Sequence, residues 1–96
     1  MIVGFGDEAT EDIFHGENTK AARRIPALVW RVARRKLDML NAACELRDVA
    51  VPPANHLEAL HGKLAGRHSI RINDQFRIVF RWHDGNAHAV QITDYH

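Results

Sequence analysis

Cysteine is almost absent. The 96-residue chain has one, Cys44, so no internal disulfide can form. Cys44 falls in a helical pattern and is expected to be a buried structural thiol. No run of about 18 apolar residues occurs, which excludes a membrane-spanning helix. Met1 to Glu8 lack the basic flank and apolar core of a secretion signal, so a cytoplasmic location is expected. No histidine pair has zinc-motif spacing, and one cysteine adds little, so neither metal nor cofactor is expected. What is present is ordinary for a folded chain: 46% hydrophobic and 26% charged residues. The length fits one domain, residues 1–96, with a modest core.

Lys and Arg are missing from residues 1–18, which hold five of the twelve acids. The rest of the chain holds all thirteen bases, ten of them arginine. Arginine suits bidentate contact with phosphate, so a phosphate-bearing partner is consistent with this split. On composition alone, a solvated surface of mixed charge remains the favoured reading.

Ile2, Val3 and Phe5 suggest a short first strand. Asp7 reads as a helix N-cap, with acids in the first turn. That helix carries Ile13 and Phe14 and ends near Gly16, and residues 17–24 read as a polar linker. Pro26 opens the main helix. Val29, Ala33, Leu37, Leu40 and Cys44 fall within about 80° of one another on a helical wheel and mark its core stripe. Arg31, Arg34, Arg35 and Asp38 lie opposite, either as solvent surface or as a second contact.

Residues 47–56 contain Pro52-Pro53 and Asn55 and read as a loop. A short segment anchored by Leu57 and Leu60 ends at Gly62. The period then becomes two. Ile70 and Ile72 alternate with Ser69, Arg71 and Asn73. Phe76, Ile78, Phe80 and Trp82 alternate with Arg77, Val79 and Arg81. Val90 and Ile92 alternate with Ala89, Gln91 and Thr93. These runs predict a three-strand antiparallel meander. One face is apolar and covered by helices; the other is arginine-rich and expected to be open.

Polarity fixes the register, because a one-residue slip reverses every side chain. A three-residue loop Asn73-Asp74-Gln75 pairs Ile72 with Phe76 and Arg71 with Arg77. A loop Asp84-Gly85-Asn86 pairs Phe80 with Val90, Ile78 with Ile92, Arg77 with Thr93 and Arg81 with Ala89. Arg71, Arg77, Thr93 and, by extension, Tyr95 then share one end of the polar face. Two facing arginines need a neutralising partner, either a bound anion or a neighbouring acid such as Asp74, Asp94 or Glu58. Strict alternation sends Asp94 and His96 to the other face unless the strand ends or twists after Thr93.

Three stretches together resemble a known family. They are Leu57-Glu-Ala-Leu-His61-Gly, Ser69-Ile-Arg-Ile-Asn-Asp-Gln-Phe-Arg77-Ile-Val-Phe-Arg-Trp82, and the closing Asp94-Tyr95-His96. Arg31-Val-Ala-Arg-Arg-Lys-Leu37 and Val51-Pro-Pro-Ala-Asn55 add to the likeness. The set resembles HigB-type toxins of the RelE superfamily, also called plasmid maintenance killer proteins. The family usually has Lys at the position of His61, Asp at that of Lys63 and Trp at that of Phe76.

The resemblance implies an α+β fold, a small twisted antiparallel sheet with two helices on one face. It also implies a toxin of a type II toxin–antitoxin system that cleaves messenger RNA in the ribosomal A site without a metal. The partner it implies is a HigA-type helix-turn-helix antitoxin, through which alone operator DNA is reached. On this reading Arg77, helped by Arg71, stabilises the phosphorane. His96, Asp94 and His61 are candidates for proton transfer, and Tyr95 stacks on a base or binds phosphate. Arg71, Lys63, Arg67 and Arg81 are expected RNA contacts. Two other readings stay open: a ParE-type gyrase inhibitor of the same fold, and a catalytically weakened member that only binds antitoxin or RNA. A folded His96→Ala variant is expected to lose growth inhibition on induction; full toxicity would remove His96 from the site.

Overall fold

Alternating polarity makes strands here only because each hairpin turn holds the register. In the computed structural model, which describes residues 1–94, β1 (Glu58–Ala59), β2 (Arg67–Arg71), β3 (Phe76–His83) and β4 (Asn86–Asp94) form one antiparallel sheet in that order. In the β2–β3 turn Asn73 Oδ1 accepts from the backbone N–H of Gln75 (2.8 Å) and Phe76 (2.7 Å). This side-chain turn sets the expected register, with Arg71 opposite Arg77 and Ile70 opposite Ile78.

The second hairpin differs in detail from expectation. Asp84 (φ 50°) and Gly85 (φ 75°) both take positive φ, as a tight two-residue hairpin turn requires. His83 therefore faces Asn86, and Arg81 faces His88 rather than Ala89. A bulge between Val79 and Arg81 absorbs the extra residue on β4, where Ala89 has φ 51°. Phe80 consequently lies opposite the bulge. Past it the expected register returns, with Ile78 on Ile92 and Arg77 on Thr93.

Ile2 and Phe5 make isolated parallel bridges to Ala87 and Val90 rather than a regular strand. Val3 N–H donates to Ala87 O (2.9 Å) and Gly6 N–H to Val90 O (2.8 Å). Gly6 approaches closely: a Cβ there would lie 3.1 Å from Ala89 O and 2.9 Å from Gln91 Oε1. Farther along the same edge the buried Thr10 hydroxyl accepts from Ile92 N–H (2.8 Å). The outer edge of β4 is thus occupied by the chain's own first residues.

Asp7 caps α1 (Glu8–Phe14), its carboxylate accepting from Thr10 N–H at 2.8 Å. Pro26 precedes α2 (Ala27–Ala42), whose Val29, Ala33, Leu37 and Leu40 are buried as the stripe requires. These pack with Ile13, Ile70, Ile78, Phe80 and Val90 into one core. The expected burial of Cys44 is not met. The helix stops at Ala42, Ala43 turns into an extended conformation and takes the buried place, and Cys44 is exposed. Among the described residues, no helix is long and apolar enough to cross a membrane.

Residues 17–24 and 47–56 are more ordered than loops. Ala22–Arg24, Leu46–Ala50 and Pro53–Asn55 are short 3₁₀ turns. Asp48 accepts from Cys44 and Glu45 N–H (2.9 Å each), which holds its carboxyl below the ordinary range. Asn55 is fully buried; its amide donates to Val49 O (3.1 Å) and Val51 O (3.5 Å), and its oxygen accepts from the buried Lys36 ammonium.

Asn55→Ala should cost about 2–3 kcal/mol, because Lys36 and two carbonyls lose buried partners. For a chain this size that lowers Tm by roughly 8 °C or more in a thermal melt. Burial, and then the neighbouring Arg35, lower the Lys36 pKa. The unfolded chain therefore holds the Lys36 proton to higher pH than the folded one. Stability should gain as pH rises from the lowered pKa toward the ordinary lysine value. Lys36→Met should erase that gain in denaturant titrations at alkaline pH.

Candidate functional site

Two cross-strand arginine pairs share the polar face of the sheet. Arg71 faces Arg77, and four residues along Arg67 faces Arg81, with Ser69 and Val79 between them. At about 3.3 Å per residue the two pairs stand ~13 Å apart. Directly opposed like charges repel, so the arrangement needs compensation. Arg71 is paired with Asp74, an exposed contact of small energetic weight. Among the described residues no side-chain hydrogen bond or ion pair engages the guanidinium of Arg67 or Arg81.

Arg77 is the unusual member. It is 8% exposed, in the middle of the sheet. Its Nε donates to Ser69 Oγ (2.8 Å) and its Nη2 to the backbone oxygen of His56 (2.7 Å). The side chain lies across β2 toward the segment that leads into β1. His56 takes a left-handed conformation (φ 46°, ψ 57°) at the end of the Pro53–Asn55 turn. The expectation of an open polar face is corrected here: Ser69, Arg77 and Val79 are buried, while Arg81 stays exposed.

The predicted site residues fall into two groups. Arg71, Arg77 and Thr93 meet at one end, as the register required. Leu60 N–H donates to Arg67 O (2.8 Å), so His61 and the Gly62–Leu64 turn with Lys63 follow at the other end, beside Arg67 and Arg81. Both His61 and Lys63 are exposed. Asp94 pairs with Phe76, so strand pairing continues beyond Thr93, and Gln75 Nε2 donates to Asp94 Oδ2 at 3.1 Å. The roles expected of Tyr95 and His96 fall outside the described residues.

Sequence reasoning missed five residues. Ser69 was legible as a polar-face residue, but not as the acceptor for Arg77. The His56 carbonyl carries no side-chain signal at all. Lys36 and Asn55 lie far apart in sequence, and their pairing has no local pattern. His88, opposite Arg81, buries its Nε2 without a partner among the described residues. A groove lined by Glu8, Thr19, Lys20, Ala21, Arg23 and Arg24 holds none of the expected site residues. Among the described residues, no group of three or more His, Cys, Asp or Glu is placed to hold a metal ion.

Such a surface offers many N–H donors and positive charge, which suits phosphate. A family model described as "RelE-like toxin of type II toxin-antitoxin system HigB" matches residues 4–96. Toxin HigB-1 of Vibrio cholerae is 40% identical over 87 residues, covering 91% of this chain and 90% of that protein. An uncharacterized protein of Haemophilus influenzae is 38% identical over 69 residues, covering 72% of this chain and 68% of the other. Two solved structures of the YoeB–YefM complex from Staphylococcus aureus contain a chain of the same fold, with TM-scores of 0.61 and 0.60 at 14% and 17% identity. Those alignments cover 100% of this chain and 98% of theirs. Sheet, helices and sequence together lead to one conclusion: the chain belongs to the RelE-like HigB toxins of type II toxin–antitoxin systems.

Proposed function

We propose that this toxin is a metal-independent endoribonuclease that cleaves messenger RNA on the ribosome, in the A site. The observation that carries the reading is Arg77, a buried and oriented guanidinium facing Arg71 and Thr93 at one end of the polar face. Cleavage without a metal uses the 2′-OH of the substrate as nucleophile. The 2′ proton leaves as the oxygen attacks phosphorus, and the 5′ oxygen is protonated as it departs. Arg77, with Arg71 beside it, stabilises the charge of the phosphorane. His96 is assigned the proton transfers and Tyr95 the contact with a base or phosphate, whereas Asp94, opposite Phe76, is left out of them.

The ~13 Å between the arginine pairs supports a different task for the other group. Arg67, Arg81, Lys63 and His61 hold flanking phosphates of the same strand, and His61 is removed from the reacting centre. The proposed partners are a HigA-type helix-turn-helix antitoxin, the ribosome and mRNA, with operator DNA reached through the antitoxin.

Transcripts mapped by primer extension after induction should show new cuts that vanish when translation is blocked. Arg77→Ala should lower cleavage by about 100-fold or more while circular dichroism stays native. Intact RNA with gyrase trapped on DNA would replace this reading by that of a ParE-type inhibitor. Arg67→Ala and Arg81→Ala should each flatten the salt dependence of single-stranded RNA binding, by about 0.7 in the slope of log K against log salt.

A further inference from the structure

Arg77 is one end of a run of buried polar contacts that begins in α2. Lys36, only 6% exposed, donates to Asn55 Oδ1, and the Asn55 amide holds the Val49 and Val51 carbonyls. Asn55 is thereby fixed at both ends of its side chain. The next residue is His56, whose left-handed backbone presents its carbonyl oxygen to Arg77 Nη2. The hydroxyl oxygen of Ser69, fully buried on β2, accepts a hydrogen bond from Arg77 Nε–H. At least two of the five guanidinium donors are thus committed to acceptors on different elements, which sets the plane of the fork.

This arrangement is a poor way to gain stability alone. An apolar side chain at position 36 would fill a buried space without desolvating an ammonium. The polar strut instead fixes a direction, the one in which the His56 carbonyl points.

We propose that Ser69, Asn55 and Lys36 are positioning residues that hold the Arg77 guanidinium in the plane in which it meets the scissile phosphate. This rests on the ribonuclease reading above. Lys36 acts through Asn55, and Asn55 through the His56 backbone; neither touches RNA. Ser69 acts on Arg77 directly.

The test is single-turnover cleavage on translating ribosomes by wild type, Ser69→Ala, Lys36→Met, Arg77→Lys and the two double variants with Arg77→Lys. Folding is checked by thermal melts, and Arg77 Nε–H is followed by ¹⁵N NMR in the isolated protein. Ser69→Ala and Lys36→Met should each slow the saturated rate about tenfold, as expected for a displaced catalytic group, with half-saturation within about twofold. Neither should lower the rate further in the Arg77→Lys background, because the interaction they serve is already gone. The Arg77 Nε–H signal should pass from protected to rapidly exchanging in Ser69→Ala. Unchanged rates, or losses that multiply with that of Arg77→Lys, would overturn the positioning role, as would an unchanged Nε–H signal. Wild-type protein that cuts no RNA on ribosomes would overturn the ribonuclease reading and this proposal with it. Wild-type cutting alongside fully active Ser69→Ala and Lys36→Met overturns positioning only.

Discussion

A guanidinium buried in a sheet has to find acceptors, because its charge never leaves and its desolvation is large. Much of this structure follows from how Arg77 meets that demand. Ser69 must be a hydroxyl on the neighbouring strand, at the diagonal position that the β2–β3 register provides. The segment before β1 must bring a carbonyl to the same place, which requires the left-handed turn at His56. That turn in turn needs Asn55 pinned from beneath, and the pin is a lysine on α2. The contacts that place one arginine therefore tie helix, loop and sheet together.

What the sequence revealed was whatever depends on period and parity. The helix stripe of Val29, Ala33, Leu37 and Leu40 and the pairing of Arg71 with Arg77 are both local patterns read against a known geometry. The second hairpin shows the limit of that method. A turn one residue shorter than expected and a bulge at Ala89 cancel each other, so Arg77 still faces Thr93 while Arg81 changes partner. Polarity reports the face of a residue and is blind to paired offsets of this kind. Cys44 failed for a related reason: its angle on the wheel was right, but the helix ended two residues earlier.

The site was legible in residue type and only partly in location. Register alone joins Arg71, Arg77 and Thr93. It had no hold on His61, which follows a two-residue strand too short to announce itself by alternation. Backbone groups and contacts over long sequence separation left no trace either. The His56 carbonyl, and the meeting of Lys36 with Asn55, exist only once the chain has folded.

The residues along the outer edge of β4 also set an order of events. Met1 to Gly6 bond to Ala87 and Val90, and Thr10 bonds to Ile92 across 82 positions. Contacts this distant in sequence close late and slowly. β4 supplies both Val90 and Ile92 to the core and Thr93 to the polar face. During synthesis, the arginine-bearing hairpin emerges before the strand that completes it. Val90, Ile92 and Thr93 arrive on one strand, so a chain still being made has neither a closed core nor a complete polar face.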